Sequence, residues 1–267
     1  MDPLARPRPV GLSIKEENGW RIQWQADGVD YPSLLNDFRQ GLLPGDRLST
    51  GSPDREVYRV APPAARLPGG PARRLVIKRD REFDTRLEKR LWDRLGGTQY
   101  SRLIRFTNRA VNEGCRLIQD IYLVAEKMEG GRCREAWLIA EYVEGEAFIQ
   151  QYVDGRASKA INYRHLVPDM ARAMGELHDW GLAANDFHPG NFVLTESGDL
   201  RIIDLAMDGP MLICQANDAL TMMHFYKIRP PLRSWRLRLV YALMSFWRWQ
   251  KNKTRSLRRK IKAVFKR

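Results

Sequence analysis

Six segments in the first half of the chain carry the short apolar runs or apolar–polar alternation typical of strands. They are residues 19–24, 47–49, 57–60, 73–78, 122–127 and 136–142. Gly130-Gly131 lies between the last two segments and predicts a tight turn that joins them. We therefore expect an antiparallel sheet in this half of the chain.

Apolar residues recur at helical spacing in three other segments, residues 33–39, 81–95 and 163–180. Gly181 ends the last of these patterns, as glycine commonly does at a helix C-terminus. A short hairpin with strands 193–194 and 200–205 is predicted to follow. Because strands come first and helices later, the pattern predicts an α+β chain of two unequal halves.

Composition excludes several classes of protein. The chain has 267 residues, 43% of them hydrophobic, which suits one large domain or two lobes and rules out a mostly disordered chain. The three cysteines are scattered and form no CxxC pair, so neither a disulfide scaffold nor a zinc module is expected. We also expect no signal peptide, because the N-terminus lacks an apolar h-region. No membrane span is expected, because no apolar run approaches about 18 residues.

Charge is distributed very unevenly. The net charge is +13, yet no acidic residue follows Asp218, and the stretch from Lys227 to Arg267 holds fifteen lysines and arginines. A nearly neutral body therefore carries a polybasic end. Basic residues between 102 and 116 form a second cluster, which could bind acceptor phosphates or form a solvated helix face.

One loop and the hairpin after it hold the residue types that phosphoryl transfer requires. Asp186 and Asn191 lie five residues apart, and Asp204 follows the hairpin. One carboxylate must accept a hydrogen bond from the attacking hydroxyl, while a second carboxylate and an amide oxygen hold Mg²⁺ against the phosphates. The hairpin is short enough to return Asp204 to the loop. The alternative is a pair of unrelated turns rich in Asp, Asn and Gly.

The sequences DFHPGN, which begins at Asp186, and IIDL, which contains Asp204, resemble the catalytic and metal loops of the protein-kinase-like fold. The resemblance implies that Asp186 is the catalytic base and that Asn191 and Asp204 hold Mg²⁺. It also implies ATP as a substrate, with Lys78, at the end of a strand, contacting the α- and β-phosphates.

The rest of the ATP site is less sharply defined. The helix glutamate that would pair with the lysine is expected to be Glu88, with Glu82 and Glu113 as alternatives. Glu141 and Val143 lie where the resemblance places the hinge to the adenine.

The chain also departs from the kinase pattern. It has no Gly-x-Gly-x-x-Gly loop, so residues 50–52 would have to cover the phosphates. Ala184 stands where a histidine or glycine often braces the catalytic loop, which weakens that brace. His188 is expected to pack or bond within its loop, and His178 to be a capping or core residue.

A narrower resemblance covers most of the chain. Segments 112–114, 120–127 and 201–205, the Asp-x-His-x-Gly-Asn-Phe loop and the basic C-terminus look like the lipopolysaccharide core heptose(II) kinase family. The resemblance implies ATP-dependent phosphorylation of an inner-core heptose, with heptose II expected, on a lipid A–core oligosaccharide in a Gram-negative bacterium. Two alternatives stay open, a kinase of another acceptor and a pseudokinase scaffold.

The implied architecture is a two-lobed protein-kinase-like fold with an antiparallel N-lobe sheet and a reduced helical C-lobe. The expected divisions are a disordered N-terminus over 1–17, an N-lobe over 18–142, a C-lobe over 143–250 and a polybasic tail over 251–267.

The C-terminal end has two interpretations. Residues 237–246 either form the last core helix before a solvated charged end, or the basic segment lies on the anionic inner-membrane surface with its aromatic residues at the interface. Both hold if the first part is core and residues 251–267 contact the membrane. We therefore expect a cytoplasmic protein, peripheral at the inner membrane. A nucleic-acid partner is disfavoured, because nothing else in the chain resembles a module that binds RNA or DNA.

Overall fold

A computed structural model describes most of the chain as two compact units. The described residues are 10–48, 53–67, 73–81, 93, 97–147, 167–185, 187–207 and 209–264, except for the side chains of residues 225, 252 and 255–264. The first unit comprises Met1–Ile161 and His188–Gly209, and the second comprises Asn162–Phe187 and Pro210–Arg267.

The first unit is built on an antiparallel sheet, as expected from the strand patterns. In the described part of the chain seven strands form this sheet, in the order β1-β2-β6-β7-β5-β4-β3. They are β1 (Leu12–Glu17), β2 (Trp20–Gln25), β3 (Gly45–Leu48), β4 (Arg55–Val60), β5 (Leu75–Asp80), β6 (Ile121–Glu129) and β7 (Arg132–Glu141). The α+β class is therefore confirmed.

Two helices pack on the sheet and bury its central strands. The first, α1 (Tyr31–Arg39), begins where the Asp30 side chain accepts a hydrogen bond from the Ser33 N–H, and it joins a core that includes Ile77 of β5 and Ile139 of β7. The second, α2 (Gln99–Asn112), packs against β6. β5 and β7 are thereby fixed in the middle of the sheet.

The prediction of disorder over 1–17 is wrong for its last third, because Leu12–Glu17 forms β1 at the edge of the sheet. Most of its side chains are exposed, as in Ile14, so the sequence carries little of the apolar pattern that marks a strand. Backbone pairing with β2 supplies the order instead. Residues 1–9 lie outside the described part.

A small second sheet in the same unit positions the hairpin that carries Asp204. Its strands are β8 (Glu146–Ala147), β9 (Phe192–Leu194) and β10 (Leu200–Ile202), in the order β10-β9-β8. Gly145, just before β8, has a φ of +151°, and a Cβ there would collide with the carbonyl oxygen of Leu194. Only glycine permits this close approach of the two backbones.

The second unit is helical over its described residues and contains α3 (Val167–Asp179), α4 (Met211–Thr221) and α5 (Trp235–Val264). Its core includes Met170, Met174 and Leu177 of α3, which follow the predicted helical spacing. The expected boundary at 250/251 does not interrupt the backbone, because α5 runs through it. None of the described helices is both long and apolar enough to cross a membrane.

Candidate active site

The first unit brings together Lys78 and Asp204, which are 126 residues apart in the chain. Lys78 lies on β5, and its Nζ donates a hydrogen bond to Oδ1 of Asp204 over 2.7 Å. The Lys78 ammonium lowers the pKa of Asp204 below its ordinary value, so the carboxylate stays charged. The Asp204 side chain is nevertheless 61% exposed, which leaves it accessible to a ligand.

The β9–β10 hairpin places Asn191 next to this pair. The backbone N–H of Ile203, the residue before Asp204, donates to the carbonyl oxygen of Asn191 over 2.8 Å. Asn191 ends a short 3₁₀ turn, and His188 caps that turn by accepting the Gly190 N–H at Nδ1 over 3.0 Å. His188 therefore bonds within its loop, as expected from the sequence.

Backbone strain marks the residue that carries the carboxylate. Asp204 has a φ of +60°, a left-handed conformation that side chains other than glycine adopt at a cost. Non-glycine residues in this region concentrate at functional sites, where the surrounding structure holds them. The left-handed backbone of Asp204 and its ion pair with Lys78 therefore both indicate a functional site at Asp204.

A buried arginine fixes the segment after Asp204. Arg102, on α2, donates from Nε to the carbonyl oxygen of Met207 over 2.9 Å and also bonds the Gly97 carbonyl. It is 6% exposed, so it belongs neither to an acceptor-binding surface nor to a solvated helix face. Because a buried guanidinium must satisfy its donors, Arg102 holds Met207 three residues from the candidate ligand.

Glu141 is held in a polar network at the end of β7. Its carboxylate pairs with Arg201 at 2.6 Å, its N–H donates to the Asp120 carbonyl, and its own carbonyl accepts from Gln119 Nε2. Burial and the neighbouring Glu141 charge raise the pKa of Asp120 to about 6. Val143 lies in the segment between β7 and β8.

In the second unit a buried aspartate braces the loop that leads towards Asp186. Asp218, on α4, has no exposed surface, and its Oδ2 accepts the Ala184 N–H over 2.9 Å. His178 Nε2, from α3, lies 3.2 Å from the same oxygen. Burial raises the pKa of Asp218, although these hydrogen bonds oppose the shift. The brace that Ala184 was expected to weaken therefore forms through its backbone.

A second contact on the same loop starts from α5. Arg248 donates to Oδ1 of Asn217 over 2.6 Å, and the Asn217 amide donates to the carbonyl and side-chain oxygens of Asn185 over 3.3 Å. Asn185 has a φ of +57°, so this loop also holds a left-handed non-glycine residue. α4 and α5 together fix the backbone just before Asp186.

Several expected site residues lie outside the described part of the chain. They are Asp186, Glu88, Glu82 and residues 50–52. Glu113, the remaining alternative to Glu88, is the exposed residue at the C-terminal end of α2.

The donor types next to Lys78 fit Mg²⁺ better than zinc. Asp204 and Asn191 offer a carboxylate and an amide oxygen, and Mg²⁺ is commonly held by one or two such groups together with substrate phosphates. Within the described residues no three His, Cys, Asp or Glu side chains cluster as a protein-only metal site would need.

Sequence reasoning missed Asp218, Arg102 and Arg248 as supports of the two loops. Asp218 carried one signal, since it is the last acidic residue in the chain and precedes a basic segment. Arg102 and Arg248 look like ordinary surface cations in sequence, and only their burial or their partners set them apart.

Comparison with known proteins assigns the chain to a family. The family described as "Lipopolysaccharide core biosynthesis protein (WaaY)" matches residues 74–263, well over half of the chain. The match includes Lys78, Asn191 and Asp204, and it defines the class as lipopolysaccharide core biosynthesis proteins. The chain belongs to the WaaY family.

Two relatives carry a more specific name. The lipopolysaccharide core heptose(II) kinase WaaY of Escherichia coli strain K12 is 28% identical over 185 residues, which cover 69% of this chain and 71% of that protein. A second E. coli protein of the same name is 28% identical over 131 residues, or 47% of this chain and 51% of that protein. The family resemblance inferred from the motifs is thereby confirmed.

Proposed function

We propose that this chain transfers the γ-phosphoryl group of ATP to a hydroxyl of heptose II in the inner core of lipopolysaccharide. The names of its relatives support the acceptor. The Lys78–Asp204 ion pair beside Asn191 is the observation that carries the phosphoryl-transfer chemistry. We assign the chain a two-lobed protein-kinase-like fold, supported by a sheet unit that holds the lysine and by a separate helical unit.

The charged groups of the first unit have distinct roles in this proposal. Asn191 and Asp204 would hold Mg²⁺, which would neutralise charge on the phosphates. Lys78 lies within hydrogen-bonding reach of Asp204, and its ammonium offsets negative charge on the α- and β-phosphates. Arg102 keeps the segment after Asp204 in place. Most of the catalysis is then positioning and electrostatics.

Asp186 is the proposed catalytic base, on the strength of its motif. Its carboxylate orients the heptose hydroxyl and accepts its proton as the oxygen bonds to the γ-phosphorus. The bond from that phosphorus to the β–γ bridging oxygen breaks, and ADP leaves. The hydrogen bonds from Ala184 to Asp218 and from Asn217 to Asn185 fix the backbone of the two residues that precede Asp186 in the chain.

The adenine contact falls chiefly to Val143. Glu141 shares the proposed hinge, but its N–H is bonded to the Asp120 carbonyl and its carboxylate to Arg201, so it shapes the hinge. Glu88 is the proposed helix partner of Lys78.

The proposed location is the cytoplasmic face of the inner membrane in a Gram-negative bacterium. The acceptor, a lipid A–core oligosaccharide, is itself anchored in a membrane. The polybasic tail over 251–267 supplies positive charge for the anionic lipid surface.

Mass spectrometry of the core oligosaccharide tests the proposal. Cells that lack this gene receive the wild type, Asp186→Asn, or the control Glu196→Gln, which alters an exposed carboxylate in the turn of the β9–β10 hairpin. We expect one phosphate on heptose II to be lost in the deletion and restored by the wild type and by the control, but not by Asp186→Asn.

The other outcomes each contradict a defined part of the proposal. An unchanged core in the deletion strain removes the heptose assignment and favours another acceptor. Restoration by Asp186→Asn as complete as by the wild type removes the catalytic role and favours a scaffold.

A further inference from the structure

The long helix α5 has one side packed on its own unit. Leu237 on this side is 2% exposed, Met244 is half-buried, and the helix packs against α4. Arg248 lies on the same side and bonds Asn217 of α4. Residues 237–246 therefore form a helix of which only one side, the one with Leu237 and Met244, packs against the unit as the core-helix interpretation predicts.

The opposite side of α5 exposes a continuous run of large apolar residues. Each lies three or four positions from another member of the set, which places them on one face of a helix. This apolar stripe consists of Trp235, Leu239, Leu243, Phe246, Trp247 and Trp249, with Trp247 71% and Leu243 61% exposed. From its first to its last residue the stripe is about 21 Å long. Contiguous exposed apolar surface of this kind marks an interaction site.

Positive charge borders the stripe. Arg236 and Arg238 lie beside its first residues, Lys251 and Lys253 follow its last, and all four side chains are exposed. Lys253 Nζ also lies 5.1 Å from the Trp249 ring centroid. Because no acidic residue follows Asp218, no negative side chain on α5 offsets this charge.

We propose that the apolar stripe of α5 docks the protein on an anionic lipid bilayer, with the helix lying in the plane of the interface. The combination fits that environment, since tryptophan prefers the headgroup region and arginine and lysine pair with anionic headgroups. This inference deepens the proposed function: it assigns membrane contact to residues 235–249 as well as to the basic tail.

Charge also argues against the other occupants of an apolar helix face. A second copy of the chain would bring together two helices that carry basic but no acidic side chains, and their like charges would repel. A membrane span is excluded by the packed side, which holds Arg248 against α4. An anionic bilayer surface can bury the apolar stripe and pair its headgroups with the basic side chains beside it.

The docked helix is also tied to the loop before Asp186. Arg248 on the packed side holds Asn217, and Asn217 holds Asn185. Docking through the opposite side would therefore leave these bonds intact while α5 lies on the membrane.

Vesicle co-sedimentation of the full chain tests the surface. The vesicles contain phosphatidylcholine with or without phosphatidylglycerol, and neither ATP nor acceptor is present. We expect wild type to bind the anionic vesicles, and Leu239→Gln/Leu243→Gln/Phe246→Gln to bind at least about tenfold more weakly. Circular dichroism checks that the variant keeps its helices, as exposed positions should allow.

A matched control removes exposed apolar side chains elsewhere. Ile14 and Leu42 are 64% and 70% exposed in the first unit, so Ile14→Gln/Leu42→Gln should bind anionic vesicles like the wild type. Equal binding by the stripe variant and the wild type would overturn the proposal. A wild-type dimer that the stripe substitutions convert to monomer, measured by light scattering, would assign the stripe to a second copy and likewise overturn it.

Tryptophan quenching locates the contact. Brominated lipids should quench wild-type fluorescence, and most of that quenching should disappear in Trp235→Phe/Trp247→Phe/Trp249→Phe while vesicle binding is retained. Undiminished quenching in this variant would place the contact elsewhere and contradict the stripe. A chain that binds vesicles but phosphorylates no core contradicts the proposed kinase function alone, and the reverse result contradicts the docking surface alone.

Discussion

Asp204 and Asp218 are two aspartates, one in each compact unit, with opposite surroundings. Asp204 is exposed, has a left-handed backbone conformation and forms an ion pair with Lys78, which lowers the pKa of the aspartate. Asp218 has no exposed surface, and burial raises its pKa while its Oδ2 holds the Ala184 N–H.

The difference separates a ligand-binding group from a structural one. A carboxylate that meets a metal or phosphate must stay charged and accessible, and a nearby ammonium keeps it so at little cost to the fold. A carboxylate that braces a loop must be buried, because buried hydrogen bonds are strong and the loss of one substantially lowers the free energy of unfolding. Substitution of the two residues should therefore affect different measurements.

The largest expected effect is on catalysis at Asp204. Asp204→Asn should lower phosphorylation of core oligosaccharide by about a thousandfold, because it removes the carboxylate proposed to hold Mg²⁺ against the phosphates. Its melting temperature should stay near the wild-type value, since an exposed ion pair contributes only about 0–1 kcal/mol. Asp46→Asn is the matched control, since it breaks another exposed pair, Asp46–Arg59 at 2.8 Å, and should keep activity. A strongly destabilised Asp204→Asn would contradict the assignment.

The next effect is on stability at Asp218. Asp218→Ala should lower the free energy of unfolding by about 2–3 kcal/mol, because the Ala184 N–H and His178 lose a buried partner. Urea denaturation measures the change, and His178→Ala/Asp218→Ala should cost less than the sum of the two single substitutions. An unchanged unfolding free energy for Asp218→Ala would show that the hydrogen bonds of Asp218 do not stabilise the fold.

The smallest expected effect is a pair of pH dependences of opposite sign. The lowered pKa of Asp204 means that its ion pair stabilises the fold above the ordinary carboxylate pKa and loses that contribution as pH falls through the lowered value. The raised pKa of Asp218 means that its ionisation costs stability as pH rises from the ordinary value through the raised one.

Denaturation of wild type, Asp204→Asn and Asp218→Asn between about pH 3 and pH 7 tests these signs. The unfolding free energy of the wild type minus that of Asp204→Asn should rise with pH, and the corresponding difference for Asp218→Asn should fall. Two differences of the same sign would contradict the contrast between the two environments.

Local pattern predicted the elements with strong side-chain periodicity. The β6–β7 hairpin formed around Gly130-Gly131, and α3 covers the described part of the helix predicted over 163–180. β1 and α2 were missed for opposite reasons. The side chains of β1 are mostly exposed, so it depends on backbone pairing, whereas α2 buries polar residues such as Arg102 that look like surface positions in sequence.

Sequence by itself determined the residue types of the site, its family and the charge of the C-terminal end, because motif spacing and composition are local properties. Only the tertiary structure decided which carboxylates are exposed and which are buried, and which side of α5 is free. Lys78 meets Asp204 across 126 residues, and Ala184 meets Asp218 across 34. Such pairs form when packing brings distant segments together, and no local pattern encodes the burial that gives two aspartates different roles.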